Sequence, residues 1–297
     1  MIRFTDFIAE GVTATTRQGI THLQDMRPEE FVKWVRDVKA AGGVLSNYKT
    51  VMKIDGLGAR FGRAANGKVF FEGSRTGPIF DSGAFSAHAI GKGAKQEIVL
   101  RAKHYDDMLE VFKRGAFMRA VPNDAKIVCE IFYNPMGTQD GANGITFVTV
   151  KYDKTKLGSL MSIMPYTVLE ASTGREHPQK DAILAALYKE SNDKIRIINP
   201  NLKMTSIDVR GVIDTVATIK DEALAVIRSR KHADREAKQN ILSVIQNAKN
   251  ELADYILAHP GVEGKFKLGT EIEGIVLHIN NKPYKITTPE FKASKRK

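Results

Sequence analysis

Lys53 sits in the apolar, strand-like run Val51-Met52-Lys53-Ile54 and is followed at once by the turn pair Asp55-Gly56. A free lysine, with a pKa of about 10.4, is a poor nucleophile at neutral pH. Burial or cationic neighbours disfavour the ammonium form and make the amine reactive. The sequence offers both, because the flanking residues are apolar and Arg60 and Arg63 follow closely. Gly56 in addition lets backbone approach a ligand. Glu130 sets a carboxylate among the apolar residues of Lys126 to Phe132. It either faces solvent or meets a cation or hydroxyl, since an unpaired buried charge is costly. Glu271 and Glu273 share one strand face by alternation, and one or two carboxylates suit magnesium. Lys285 follows a dozen residues later.

Other familiar chemistries are missing. The seven histidines have no metal-ligand spacing, and no Gly-x-Ser-x-Gly elbow occurs. The glycines of Gly56-Leu-Gly58-Ala-Arg-Phe-Gly62 lack the spacing and context of a dinucleotide fold.

The elements that must hold these residues change character along the chain. Pro28-Glu29-Glu30 starts a helix whose apolar face is Phe31, Val32, Trp34, Val35 and Val38, stopped by Gly42-Gly43. From Val44 to about Asp153 the pattern predicts short strands: Val51 to Ile54, Ala59 to Phe61, Lys68 to Glu72, Ile98 to Arg101, Lys126 to Phe132 and Ile145 to Tyr152. Asn66-Gly67 marks a hairpin, and Tyr105 to Arg114 a helix between strands. Helices are then expected at Asp181 to Lys189, Lys220 to Arg230 and Arg235 to His259. Strand character returns after Val262, before a basic tail. The expected fold class is α+β with mostly antiparallel sheets. Four segments follow: an N-terminal helical segment (1–45), a first sheet-forming part (46–159), a mostly helical insertion (160–262) and a last sheet-forming part (263–297).

Composition narrows the classes further. With 297 residues and 42% hydrophobic content, the chain can bury a large core. It contains no run of roughly 20 apolar residues for a membrane helix and no secretory signal pattern. A single cysteine, Cys129, excludes an intrachain disulfide and a cysteine-rich zinc site. The expectation is a cytoplasmic protein without a membrane partner. Lys and Arg outnumber Asp and Glu, 45 to 34, and the net charge of +11 favours a polyanionic partner such as nucleic acid.

The order of the short strings matters more than any one of them. Lys53-Ile54-Asp55-Gly56, Ser74-Arg75-Thr76-Gly77, Cys129-Glu130-Ile131-Phe132, Phe147 to Asp153, Glu273-Gly274-Ile275-Val276-Leu277 and Lys285-Ile286-Thr287 follow in that sequence. The series resembles the signature of covalent nucleotidyltransferases: ATP-dependent DNA ligases, RNA ligases and messenger-RNA capping enzymes. The likeness covers 46–155 and 263–292.

It implies a nucleotidyltransferase fold, ATP-grasp-like as in ligase adenylation domains, with Lys53 carrying AMP covalently. By the same resemblance Arg60 reaches triphosphate oxygens, and Arg75 contacts the ribose or the strand being joined, where its planar fork suits bidentate contact. Glu130 contacts the ribose or a metal-linked water. Tyr152 stacks on adenine, with Phe132 and Phe147 as rival platforms. Glu273 supports the divalent metal, and Lys285 neutralises the α-phosphate. ATP and Mg2+ are the implied cofactors, and nicked DNA or broken RNA the implied partner, with DNA marginally preferred on the Ser-Arg-Thr-Gly string. A capping-type guanylyltransferase and an inactive nucleic-acid-binding relative share the motifs.

Three features depart from the pattern. Thr287 stands where a second lysine is expected. Lys53 and Glu273 are 220 residues apart, wider than the family usually shows. No C-terminal oligonucleotide-binding (OB) barrel follows Lys285, so a second subunit is the expected source of one. This layout is closer to phage-encoded ligases than to cellular ones, which implies the host cytoplasm.

Overall fold

The computed structural model describes residues 21–46, 48–53, 56–73, 76–134, 157–229, 231–259, 262–263, 273–280, 282–289 and 291. The protein is α+β, and among the described residues it has seven α-helices and three sheets, antiparallel or mixed. Two compact units divide the chain: 54–200, with residues outside the described set, forms one, and 20–53 with most of 201–297 forms the other.

The first unit is built on a five-stranded sheet. Its strands are β4 (Leu57–Arg63), β5 (Val69–Gly73), β6 (Ala125–Tyr133), β7 (Met161–Glu170) and β8 (Ile195–Ile197), in the order β5-β4-β6-β7-β8. Only the β7–β8 pairing is parallel. Asn66-Gly67 makes the expected turn between β4 and β5, and Gly67 takes the left-handed φ of 80° that favours glycine there. One sheet face carries Ala59, Phe61, Phe71, Ile127, Cys129 and Ile131. Helix α3 (Gln96–Arg114) covers it with Ala102, Tyr105, Met108, Leu109 and Phe112, spaced at helical intervals. Phe112 stacks on Phe61 at 4.5 Å between ring centres and lies 5.5 Å from Phe71.

The second unit holds a six-stranded sheet ordered β1-β13-β12-β3-β9-β11. The strands are β1 (Thr21–His22), β3 (Lys49–Lys53), β9 (Asn201–Met204), β11 (Val262–Glu263), β12 (Gly274–Ile279) and β13 (Lys282–Thr287). A short ladder joins β2 (Val44–Leu45) to β10 (Ile207–Asp208). Met52, Ile275, Leu277, Ile279, Tyr284 and Ile286 share one buried face of the large sheet. Helix α7 (Arg235–Ala258) packs against β13, and α1 (Pro28–Ala40) packs on α7. Buried Lys249 of α7 donates to the carbonyls of Gln24 (3.2 Å) and Met26, tying the helix to the turn before α1. Desolvation pushes its pKa down.

Two expectations require correction. Ile98 to Arg101 is not a strand but part of α3: its β-branched residues look strand-like locally, yet the helical spacing from Ala102 to Phe112 continues back through it. Residues 160–262 are not a helical insertion. They contribute β7 and β8 to the first sheet and β9 to the second, besides α4 (Lys180–Lys189), α5 (Arg210–Ala217), α6 (Asp221–Arg228) and α7. Strand β7 is concealed in the sequence by Pro165, which cannot donate to a ladder. The β6–β7 register shifts between Val128 and Cys129 to accommodate it, leaving Cys129 opposite Pro165. The expected strand 145–152 lies outside the described residues.

Helix α7 gives a direct check on which face is buried. Leu252 is fully buried and Val244 is 40% exposed on the same helix. Leu252→Ala should cost about 2–5 kcal/mol by transfer and cavity terms, and Val244→Ala within about 0.5 kcal/mol. Denaturant unfolding of both variants checks this, and equal losses would contradict the packing described.

Candidate active site

The register of three neighbouring strands brings the distant motif residues together. Gly274 of β12 pairs with Lys53 on one side and Thr287 on the other. Val276 likewise lies between Val51 and Lys285. Directly paired residues share a face, so Lys53, Thr287 and Lys285 stand on the side of the sheet opposite its apolar core. Edge strand β1 runs parallel to β13 and sets His22 beside Lys285 on that same polar face.

Glu273 stands just before β12, and its carboxylate accepts a hydrogen bond from Lys53 Nζ at 2.8 Å. The two side chains are only 12% and 9% exposed. The pair is therefore largely withdrawn from water, where a lone charge would be expensive and a charge-assisted hydrogen bond compensates it. The backbone also fixes Glu273: its carbonyl accepts from Thr288 N at 2.9 Å. A Cβ added at Gly274 would lie 2.0 Å from the carbonyl oxygen of Ile286. The Glu-Gly dipeptide thus has a physical reason, since any side chain at 274 would push β13 away from β12.

Strand β13 is anchored from its other face. Tyr284 Oη donates to Glu30 Oε1 of α1 at 2.9 Å, and Lys282 Nζ reaches the same oxygen at 2.7 Å. The hydrogen bond from Lys282 holds the Glu30 carboxyl below its ordinary value. Burial, with the Glu30 carboxylate beside it, pushes the Tyr284 phenol up to about 12. On the polar face Thr287 Oγ1 lies 3.2 Å from His22 Nδ1. His22 had no sequence signal, because only the parallel pairing of β1 with β13 reveals its neighbours.

The remaining expected residues fall in the first unit or outside the described set. Glu130 is buried, 3% exposed, and accepts a hydrogen bond from the Gly56 backbone at 3.0 Å. Its carboxylate therefore clasps the last residue of the Lys53-to-Gly56 string. Arg60 lies on the same sheet face, 3.7 Å from Glu72, which also meets Lys126 at 3.6 Å. Phe132 shares that face with Glu130. Arg63, read from the sequence as a cationic neighbour of the lysine, is instead committed to backbone: it donates to Met118, Val121 and Gly67 carbonyls at 3.1–3.4 Å. Cys129 is buried in the core, and desolvation raises its thiol pKa well above the ordinary range, so it is not a nucleophile. Arg75, Tyr152, Phe147, Asp55 and Glu271 lie outside the described residues.

Among the described residues no group of three or more His, Cys, Asp or Glu side chains converges as a metal cage. A single carboxylate such as Glu273 fits magnesium, which keeps waters and takes phosphate oxygens as further ligands. It does not fit a closed all-protein site. No described helix is long and apolar enough to cross a membrane. Comparison of the chain with protein-family models, with curated proteins and with solved structures finds no significant match.

Gly274→Ala tests the close approach of β12 and β13. The clash with the Ile286 backbone should cost about 1–3 kcal/mol by overpacking. Stability within about 0.5 kcal/mol of the wild type in denaturant unfolding would contradict the spacing described.

Proposed function

We propose that the chain is an ATP-dependent polynucleotide ligase of the covalent nucleotidyltransferase type, with Lys53 as the nucleophile. The observation that carries this reading is the Lys53–Glu273 pair. Two residues 220 positions apart meet at 2.8 Å on neighbouring strands, with Lys285 on the same face of the next strand. A nucleophilic amine, a carboxylate and a further cation on one polar face suit attack on a phosphate ester. An ordinary surface lysine before an Asp-Gly turn has no need of a buried partner.

The chemistry follows from the residues. Glu273 lies within hydrogen-bonding reach of the amine and can take its proton. Lys53 Nζ then attacks the α-phosphorus of ATP. A P–N bond forms, the α–β bridging P–O bond breaks, and pyrophosphate leaves. Lys285 lends positive charge to the phosphate during this step. Mg2+, held by Glu273 and phosphate oxygens, would supply further neutralisation of the charge on the triphosphate. AMP then passes from Lys53 to a 5′-phosphate end. A neighbouring 3′-hydroxyl attacks that phosphate, releases AMP and seals the strand. Arg60, Arg75, Glu130 and Tyr152 are assigned their ligand contacts by resemblance alone. The net charge of +11 supports a nucleic-acid substrate, and a DNA nick is preferred over an RNA break on the Ser74-to-Gly77 string.

The test is intact-mass spectrometry after incubation with Mg2+ and either ATP or GTP. An AMP adduct is expected on the wild-type chain and none on Lys53→Arg, which keeps a cation beside Glu273 but is not a nucleophile. An adduct that survives Lys53→Arg would remove Lys53 from the reaction. A GMP adduct would indicate a capping-type guanylyltransferase. A folded wild-type chain that takes neither nucleotide would be an inactive relative.

A further inference from the structure

We propose that His22 is a phosphate-binding side chain that acts with Lys285. It would supply from β1 the second nitrogen that Thr287 cannot. The inference rests on the nucleotide-binding reading above and names a residue which that reading does not use.

Three observations lead to it. First, the parallel β1–β13 register sets His22 directly beside Lys285, one strand spacing away and on the same face. Second, Thr287 is buried, so its hydroxyl requires a partner, and it finds His22 Nδ1 at 3.2 Å. With the hydroxyl donating, the imidazole carries its proton on Nε2, a hydrogen-bond donor suited to a phosphate oxygen. The short side chain at 287 therefore orients a ring rather than presenting a charge of its own. Third, positive charge on this face exceeds what the visible carboxylate compensates. Glu273 is engaged by Lys53, while Lys285 is part-exposed and forms no ion pair among the described residues. Two nitrogen groups on adjacent strands, one of them without a counter-ion, make a site for an anion with several acceptor oxygens. A phosphate group within a nucleoside triphosphate has that character.

A purely structural histidine would satisfy Thr287 and do no more. The distinguishing experiment is an NMR titration of the full-length chain, first with inorganic tripolyphosphate and then with ATP. The imidazole signals of His22 are identified by their loss in His22→Gln. The expected result is a shift of those signals on titration and a dissociation constant at least about tenfold weaker in His22→Gln, the loss of one charge-assisted hydrogen bond. Thr287→Val should weaken binding by a smaller factor, since the ring remains but is no longer oriented. Unmoved His22 signals, with wild-type affinity in His22→Gln, would overturn the role of His22 while leaving the ligase reading intact. Tripolyphosphate bound through His22 without formation of any adenylate would uphold His22 and overturn the ligase reading. Failure of the folded wild-type chain to bind either ligand would overturn both. Because the wild-type titration reads the ring itself, a poorly folding variant does not remove the test.

Discussion

The ion pair between Lys53 and Glu273 constrains the second unit more than any other contact on its polar face. Both groups are largely shielded from solvent, so neither tolerates the loss of the other. Holding them at 2.8 Å requires β3 and β12 in one register and β13 close behind. The glycine at 274 and the Thr288 hydrogen bond to the Glu273 carbonyl serve that requirement. The anchoring of β13 through Tyr284 and Lys282 to Glu30 serves it from the opposite face.

Each sheet separates its chemistry by face. In the second unit the apolar side residues Met52, Ile275, Leu277 and Ile286 are fully buried, while Lys53, Lys285, Thr287 and His22 occupy the other side. In the first unit Phe61 and Phe71 pack beneath α3, and Arg60, Glu72, Lys126 and Glu130 lie on the reverse. Buried carboxylates on these polar faces all find donors. Glu72 sits between two cations, and Glu130 accepts a backbone N–H. Rigid strands carrying satisfied charged groups hold such a constellation more firmly than loops would.

Much of this was legible where local pattern and local structure agree. Helix α1 begins at Pro28 and buries the five apolar residues read from its spacing, and α7 buries Ile245, Leu252 and Ile256 as its periodicity implies. The hairpin at Asn66-Gly67 follows from its turn chemistry. Strands of two to four residues such as β1, β8 and β9 gave no usable signal, because their formation depends on partners far along the chain. Pro165 hid β7 for the same reason, since only the shifted register with β6 makes it tolerable. Within the candidate site, residue types named Lys53, Glu273 and Lys285, and pairing alone named His22. Arg63 was misread because a charged side chain in a sequence does not reveal that three carbonyls await it.

A double-mutant cycle on Lys53 and Glu273 measures the central interaction most directly. Lys53→Met, Glu273→Gln and the combined variant would be compared with the wild type by denaturant unfolding. A favourable coupling of about 1–3 kcal/mol is predicted, with the double variant more stable than the sum of the single losses implies. Additivity within about 0.3–0.5 kcal/mol would mean the two side chains do not meet in solution, and the account of this site would be contradicted.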